Sequence, residues 1–225
     1  MQDGQNLFDP ALSYCGVDWG MDEAVSRLPQ DNQVPAPIIV GIWNTEIRWR
    51  EYMPQKVFSP SSYHKWAGGP PVSDNYLKFM VTELKPFMDN SYPTLTEPDH
   101  TLVMGSSMGG LISLYAALEY PQVFGGAGCI STHWPAGPES LIQYVQTALP
   151  EPGRLRFYFD YGTETIDADY ESYQRQVDRI FIEKGYQSGK DWLTLMFEGD
   201  DHSETSWRKR VDVPLQFLLA GSNRS

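Results

Sequence analysis

The run Leu102-Val103-Met104-Gly105-Ser106-Ser107-Met108-Gly109-Gly110 constrains this chain more than any other stretch. A short apolar run ends in Gly-x-Ser-x-Gly, and a helix-like segment over residues 111–120 follows at once. That order predicts a buried strand, a tight turn and a helix, the setting in which this motif lifts a serine hydroxyl above the end of a sheet. A Cβ at Gly105 or Gly109 would collide with the strand or helix beside such a turn. The same residues could also form a glycine-rich loop whose serine caps the helix. Strand before and helix after favour the nucleophile. Ser107 holds the centre of the motif, and Ser106 is expected to point back toward the sheet.

The rest of the chain repeats the alternation. Residues 17–28 carry apolar side chains at helical spacing, and residues 38–43 form a continuous apolar run, as expected of a strand buried on both faces. Residues 44–72 turn irregular, with Arg48, Arg50, Glu51, Tyr52 and Trp66 ahead of a Gly-Gly-Pro-Pro break, a loop of the kind that often carries function. Ser73-Asp74 can cap a helix over 75–90, which Pro86 should bend or end. Further strands are expected at 126–131, 155–161 and 192–197. Helices are expected at 138–149, 170–184 and 204–219, the last interrupted at Pro214. Strands alternating with helices imply βαβ units. The expected fold class is α/β, a mostly parallel sheet with helices on both faces, in a single domain over residues 1–225.

Charge and cysteines narrow the class of function. Acidic residues outnumber basic ones 29 to 17, and the net charge of -12 would repel the phosphates of nucleic acid or an anionic membrane. No run approaches the roughly 18 apolar residues of a membrane span. Met1-Gln2-Asp3-Gly4 has neither the basic start nor the apolar centre of a signal peptide. Cys15 and Cys129 match no metal or redox spacing and read as free thiols of a cytoplasmic protein.

A serine hydroxyl needs a base to take its proton, usually a histidine oriented by a carboxylate. His202 follows the last expected strand in a polar loop, in the order serine, acid, histidine known for hydrolases of this layout. His133 also stands after a strand, beside Trp134. His64 lies in the irregular loop, and His100 precedes a strand and so belongs to the wrong end of the sheet. The acid should leave the strand before the last. Asp160 lies within that strand's end and Asp169 can cap the next helix, whereas Glu164 and Asp167 have the reach; chain order does not separate these two. An oxyanion hole needs two backbone N–H donors. One is expected from Met108 at the helix N-terminus, where the helix dipole adds to it. The other is expected from the turn Asp3-Gly4-Gln5-Asn6.

Together these pieces resemble the Putative esterase family of α/β-hydrolases, which includes esterase D-like, enterochelin-esterase-like and feruloyl-esterase-like enzymes. The resemblance rests on Asp3-Gly4-Gln5-Asn6-Leu7-Phe8-Asp9, on Asn44-Thr45-Glu46-Ile47-Arg48 with Glu51-Tyr52, and on Gly105-Ser106-Ser107-Met108-Gly109-Gly110. It extends to Phe159-Asp160-Tyr161-Gly162-Thr163 with Asp167, and to Gly199-Asp200-Asp201-His202-Ser203-Glu204 with Trp207. It implies Ser107 as nucleophile, His202 as base and Asp167 as its orienting acid, with the Gln5 and Met108 amides as oxyanion donors. The implied activity is hydrolysis of small carboxylic esters through an acyl-enzyme, with no metal and no cofactor. Acyl transfer to an alcohol or sugar, or a binding protein that keeps the fold, are the rival readings. Trp43, His133 and Trp134 are expected to wall the substrate pocket. Family members carry strands ahead of the Asp-Gly-Gln-Asn turn, whereas Met1 stands two residues before Asp3 here, so the sheet is expected to be shortened at that edge. Such an edge would be a pairing surface for a second copy.

Overall fold

The computed structural model describes residues 1–28, 36–58 and 68–220. After a 3-10 turn (Gly4–Asn6) come α1 (Met21–Arg27), α2 (Arg48–Tyr52), α3 (Ser73–Phe79) and α4 (Lys85–Ser91), the last two joined by a π-helical stretch (Met80–Leu84). There follow β1 (Leu102–Ser106), α5 (Met108–Glu119), β2 (Gly126–Ile130), α6 (Pro138–Ala148) and β3 (Arg156–Gly162). The chain continues through α7 (Glu171–Glu183), β4 (Trp192–Phe197), α8 (Glu204–Arg210) and α9 (Asp212–Leu219). The four strands pair in parallel in the order β1-β2-β3-β4. All four therefore end at one edge, where side chains that leave them can meet.

Alternating side chains divide the core into two layers. Val103, Ala127, Cys129, Phe157 and Phe159 face a cluster with Leu77, Leu111, Tyr115, Val145, Val177 and Phe181, residues of α3, α5, α6 and α7. Met104, Ile130 and Tyr158 face Met21, Ala24, Val211, Leu215 and Leu218 on the other side. Phe157, Tyr158 and Phe159 are all fully buried. Each such side chain is worth about 1.5–3 kcal/mol relative to exposure. Helix α5 is buried from Met108 to Leu118, as a helix that is apolar all round must be.

Of the two prolines expected to interrupt helices, Pro214 acts as expected and Pro86 does not. Pro214 cannot donate an N–H and its ring opposes the carbonyl of Arg210, and the helix breaks there, at Val211, into α8 and α9. Pro86 neither ends nor replaces its helix. The preceding stretch Met80–Leu84 widens to π geometry, which takes up the missing N–H and the ring, and the helix continues to Ser91.

The expected strand over residues 38–43 is the main departure. Ile42 N–H donates to Met1 O (2.9 Å), Gly4 N–H to Ile42 O (2.7 Å) and Gln2 N–H to Met104 O (2.9 Å). The Met1 amine donates to Val40 O (2.6 Å). Met1 and Gln2 thus lie between this run and β1. Ile38 and Trp43 are left exposed, so the run is not buried on both faces. A cleft of about 410 Å³ opens here between Ile38, Ile39 and Ile42 on one side and Leu102 and Val103 on the other. The irregular stretch 44–72 contains α2; His64 and Trp66 lie outside the described residues. Among those residues no helix is long and apolar enough to cross a membrane.

Candidate active site

Between β1 and α5 stands Ser107, with φ 55° and ψ -122°. A non-glycine residue held there costs on the order of 1–3 kcal/mol and persists only if its surroundings fix it. They do: Ser107 N–H donates to Ile130 O (2.9 Å), and Ser107 O accepts from Leu111 N–H (3.1 Å) and His133 N–H (3.2 Å). A Cβ on Gly105 would lie 2.7 Å from the backbone carbon of Gly109, so the turn closes only on glycine. Ser106, the last residue of β1, is buried.

At the far side of the same sheet edge, the loop after β4 carries His202. Its Nδ1 lies 2.6 Å from Asp167 Oδ1, and its backbone N–H donates to Thr165 Oγ1 (3.0 Å). Asp167 sits in the turn after β3, fully buried. Its Oδ2 accepts from the Ser131 hydroxyl (2.6 Å) and from Gly162 N–H (2.8 Å). Burial works to raise the Asp167 carboxyl, but the hydrogen bonds from His202, Ser131 and Gly162 outweigh it and hold the group below its ordinary range. Glu164 is exposed and Asp160 is turned to Arg210 (3.1 Å), so of the candidate acids it is Asp167 that bonds His202. The His202 ring is packed edge-on by Trp207 (4.9 Å between centroids) and Tyr170 (5.8 Å). His100 precedes β1, at the opposite end.

His133 joins the two halves. Its backbone holds Ser107 O, its Nδ1 is 2.7 Å from the Tyr170 hydroxyl, and its ring meets Trp49 edge-on at 6.3 Å. Burial first, then the neighbouring His202 and Arg48, push the His133 imidazole down to about 4. That is below the ordinary value of about 6.5. As pH falls through 6.5 the unfolded chain gains a proton that the folded chain refuses, so stability drops progressively until about pH 4. Replacing His133 with glutamine should therefore remove on the order of 2 kcal/mol of the stability lost between pH 7 and pH 4.5. Urea unfolding of both proteins across that range measures it.

The opening turn lies beside Ser107. Asp3 has φ 52° and is gripped by Arg48, whose Nε and Nη2 donate at 2.6 and 2.7 Å, and by Asn44 Nδ2 (2.6 Å). A Cβ on Gly109 would meet Asp3 and Gln2 side chains at 3.2 Å, so the turn docks directly on the start of α5. Gly4 N–H donates to Ile42 O and Asn6 N–H to Asp3 O, while the Gln5 amide between them has no protein acceptor among the described residues. Asn44 N–H holds the Gln5 side chain at Oε1 (3.3 Å). Met108 is the first residue of α5, where helix amides lack an internal partner.

Of the expected pocket walls, Trp134 is placed otherwise. It is 1% exposed, its indole donates to Gln174 Oε1 (3.1 Å), and it packs on Phe159 in the core. An apolar ring with one N–H is better accommodated in a core that offers one acceptor than in water. Trp43 is 60% exposed, one residue before Asn44. Trp49, Tyr170, Ser131 and Arg210 were not singled out from the sequence; the last two could have been found only by asking which polar residues end a strand or sit on a helix's buried face. Among the described residues no three His, Cys, Asp or Glu side chains are placed to hold a metal ion.

YbbA of Bacillus subtilis (strain 168) is 29% identical to this chain over 234 residues, covering all of this chain and 86% of YbbA. An iron(III) enterobactin esterase of Dickeya dadantii (strain 3937) is 27% identical over 154 residues, which is 63% of this chain and 34% of that enzyme. The fold is similar to that of an IroE-like serine hydrolase from Shewanella oneidensis, with a TM-score of 0.66 and 20% identity over 95% of this chain and 67% of that one. A ferulic acid esterase is also similar in fold, with a TM-score of 0.63 and 16% identity over 89% of this chain and 77% of that one, and the shared α/β-hydrolase fold is built here on four parallel strands. Residues 1–219 match the Putative esterase family, and the chain belongs to it.

Proposed function

We propose that this chain is a serine carboxylesterase working in a single α/β-hydrolase domain. The observation that carries the reading is the buried Asp167 bonded to His202 Nδ1 at 2.6 Å, at the sheet edge where Ser107 is held in a strained turn. Ser107 Oγ attacks the ester carbonyl while His202 Nε2 takes its proton. The charge that develops on the carbonyl oxygen meets the Gln5 and Met108 amides, the first fixed by Asp3, Arg48 and Asn44, the second reinforced by α5. His202 then gives its proton to the leaving alcohol and activates the water that releases the acid. Asp167 orients the ring and balances the imidazolium. Trp49 and His133, with Trp43 at the rim, flank the space beside Ser107. The Dickeya dadantii relative is named an esterase of iron(III) enterobactin, which supports an ester as the substrate class.

A fluorophosphonate probe, which needs an activated serine, should label the folded protein at Ser107. p-Nitrophenyl esters from acetate upward should be hydrolysed, with the rate falling as the acyl chain outgrows the site. A folded protein that takes no label and cleaves none of these esters would refute the reading.

A further inference from the structure

Asp167 is supported from behind by a network that chain order does not suggest. The hydroxyl of Ser131, at the end of β2, is fully buried and has three partners: Asp167 Oδ2 (2.6 Å), Trp207 Nε1 (3.1 Å) and Arg210 Nη2 (3.0 Å). An indole N–H and a guanidinium can only donate. Ser131 Oγ must therefore accept from both, and its single proton has one place to go, the Asp167 carboxylate. The direction of that bond is fixed by its neighbours, without any hydrogen being seen. Ser131 itself is clamped, with φ 41° and its N–H on both Asp160 O (3.0 Å) and Asp160 Oδ1 (3.1 Å).

Arg210 does not bond Asp167 directly; Nη2 stands 4.0 Å from Oδ2. A direct guanidinium pair would neutralise the carboxylate that His202 needs. Instead Arg210 is hydrogen-bonded to Asp160 (3.1 Å) and Asp200 (2.8 Å), so the hydrogen bond that Asp167 receives from this side comes from the Ser131 hydroxyl, with the guanidinium charge one step behind it. The other titratable groups near the pair are His133 and Tyr170, already bonded to each other.

We propose that Ser131 is a positioning residue, whose hydroxyl proton, committed by Arg210 and Trp207, keeps Asp167 ionised and aimed at His202. This rests on the esterase reading of the same site. Without the hydroxyl, Asp167 Oδ2 keeps only the Gly162 N–H, the deprotonated Asp167–His202 pair is less stabilised, and the pair takes up its proton at higher pH. The acid limb of kcat/KM should then move upward.

The test compares wild type with Ser131→Ala and Ser131→Gly, the second relieving the strain at φ 41° so that the fold is kept. On p-nitrophenyl acetate both variants should show the acid limb raised by about one pH unit. kcat at neutral pH should be about tenfold lower, with KM nearly unchanged. A purely structural role would lower the Tm and leave the limb where it was. Normal wild-type turnover with an unmoved acid limb in both variants would overturn the role of Ser131 alone. Failure of wild type to turn over ester or label Ser107 would overturn the esterase reading and this inference with it.

Discussion

Replacing Ser107 with alanine is expected to lower kcat on p-nitrophenyl acetate by roughly a million-fold, as loss of the nucleophile does in serine hydrolases of this chemistry. That corresponds to about 8 kcal/mol of barrier. On the proposed mechanism the loss should fall on kcat, because no acyl-enzyme could form, while ester binding beside the proposed Gln5 and Met108 amide donors would be kept. A residual rate above water should persist from those amides. The fold should survive. The bonds that hold residue 107 run through its backbone, to Ile130, Leu111 and His133, and alanine keeps them. Alanine meets the same cost as serine at φ 55°, so the thermal midpoint should change little. The neighbouring serine provides the control. Ser106 is buried, and Ser106→Ala should retain activity within a few-fold. Equal loss in the two variants, or activity kept in Ser107→Ala, would place the nucleophile elsewhere.

What could be read in advance was whatever the chain encodes locally. The strand, turn and helix around Ser107 are contiguous, so apolar run, glycines and helical spacing point to the same answer before any tertiary contact is considered. His202, the proposed base, is suggested by its place after the last strand. Asp167 was not separable from Glu164 by spacing, because both stand on one short connection. Their surroundings differ: Asp167 is buried against Ser131 and His202, each some 35 residues away in the chain, with Gly162 of the same connection completing the shell. The same holds for Arg210, which is bonded to Ser131 across 79 residues of sequence. Residues 38–43 misled for the opposite reason. Their composition states a preference for burial, but Ile38 and Trp43 stay exposed and the run bonds to Met1 and Gly4 instead of forming a ladder. Pro86 shows a local rule overridden more gently, by a widened helical turn that tertiary packing tolerates.

Removing the charge behind the site should cost more in stability than any surface change. Arg210 and Asp160 are 2% and 0% exposed at their side chains and pair at 3.1 Å. Burial raises the Asp160 carboxyl, with Arg210, the Tyr158 hydroxyl and Ser131 N–H acting against it. Arg210→Met keeps the apolar stem and leaves Asp160 buried without its cation. Breaking such a pair from one side costs about 3–5 kcal/mol, since the remaining charge cannot be resolvated. The deficit should depend on pH with a defined sign. In the variant the folded-state Asp160 value rises further above the unfolded one, so the folded protein binds a proton that the unfolded chain does not, and stability returns as pH falls. Urea unfolding should accordingly show a smaller difference from wild type at pH 5.5 than at pH 8. Combining Arg210→Met with Asp160→Asn should recover most of the loss at pH 8, because an amide at position 160 can still accept from Ser131 N–H and meet the Tyr158 hydroxyl. A single variant that loses less than about 1 kcal/mol, the range of an exposed pair, at every pH would show that Asp160 is already protonated in the native protein and that Arg210 serves Asp200 and Ser131 alone.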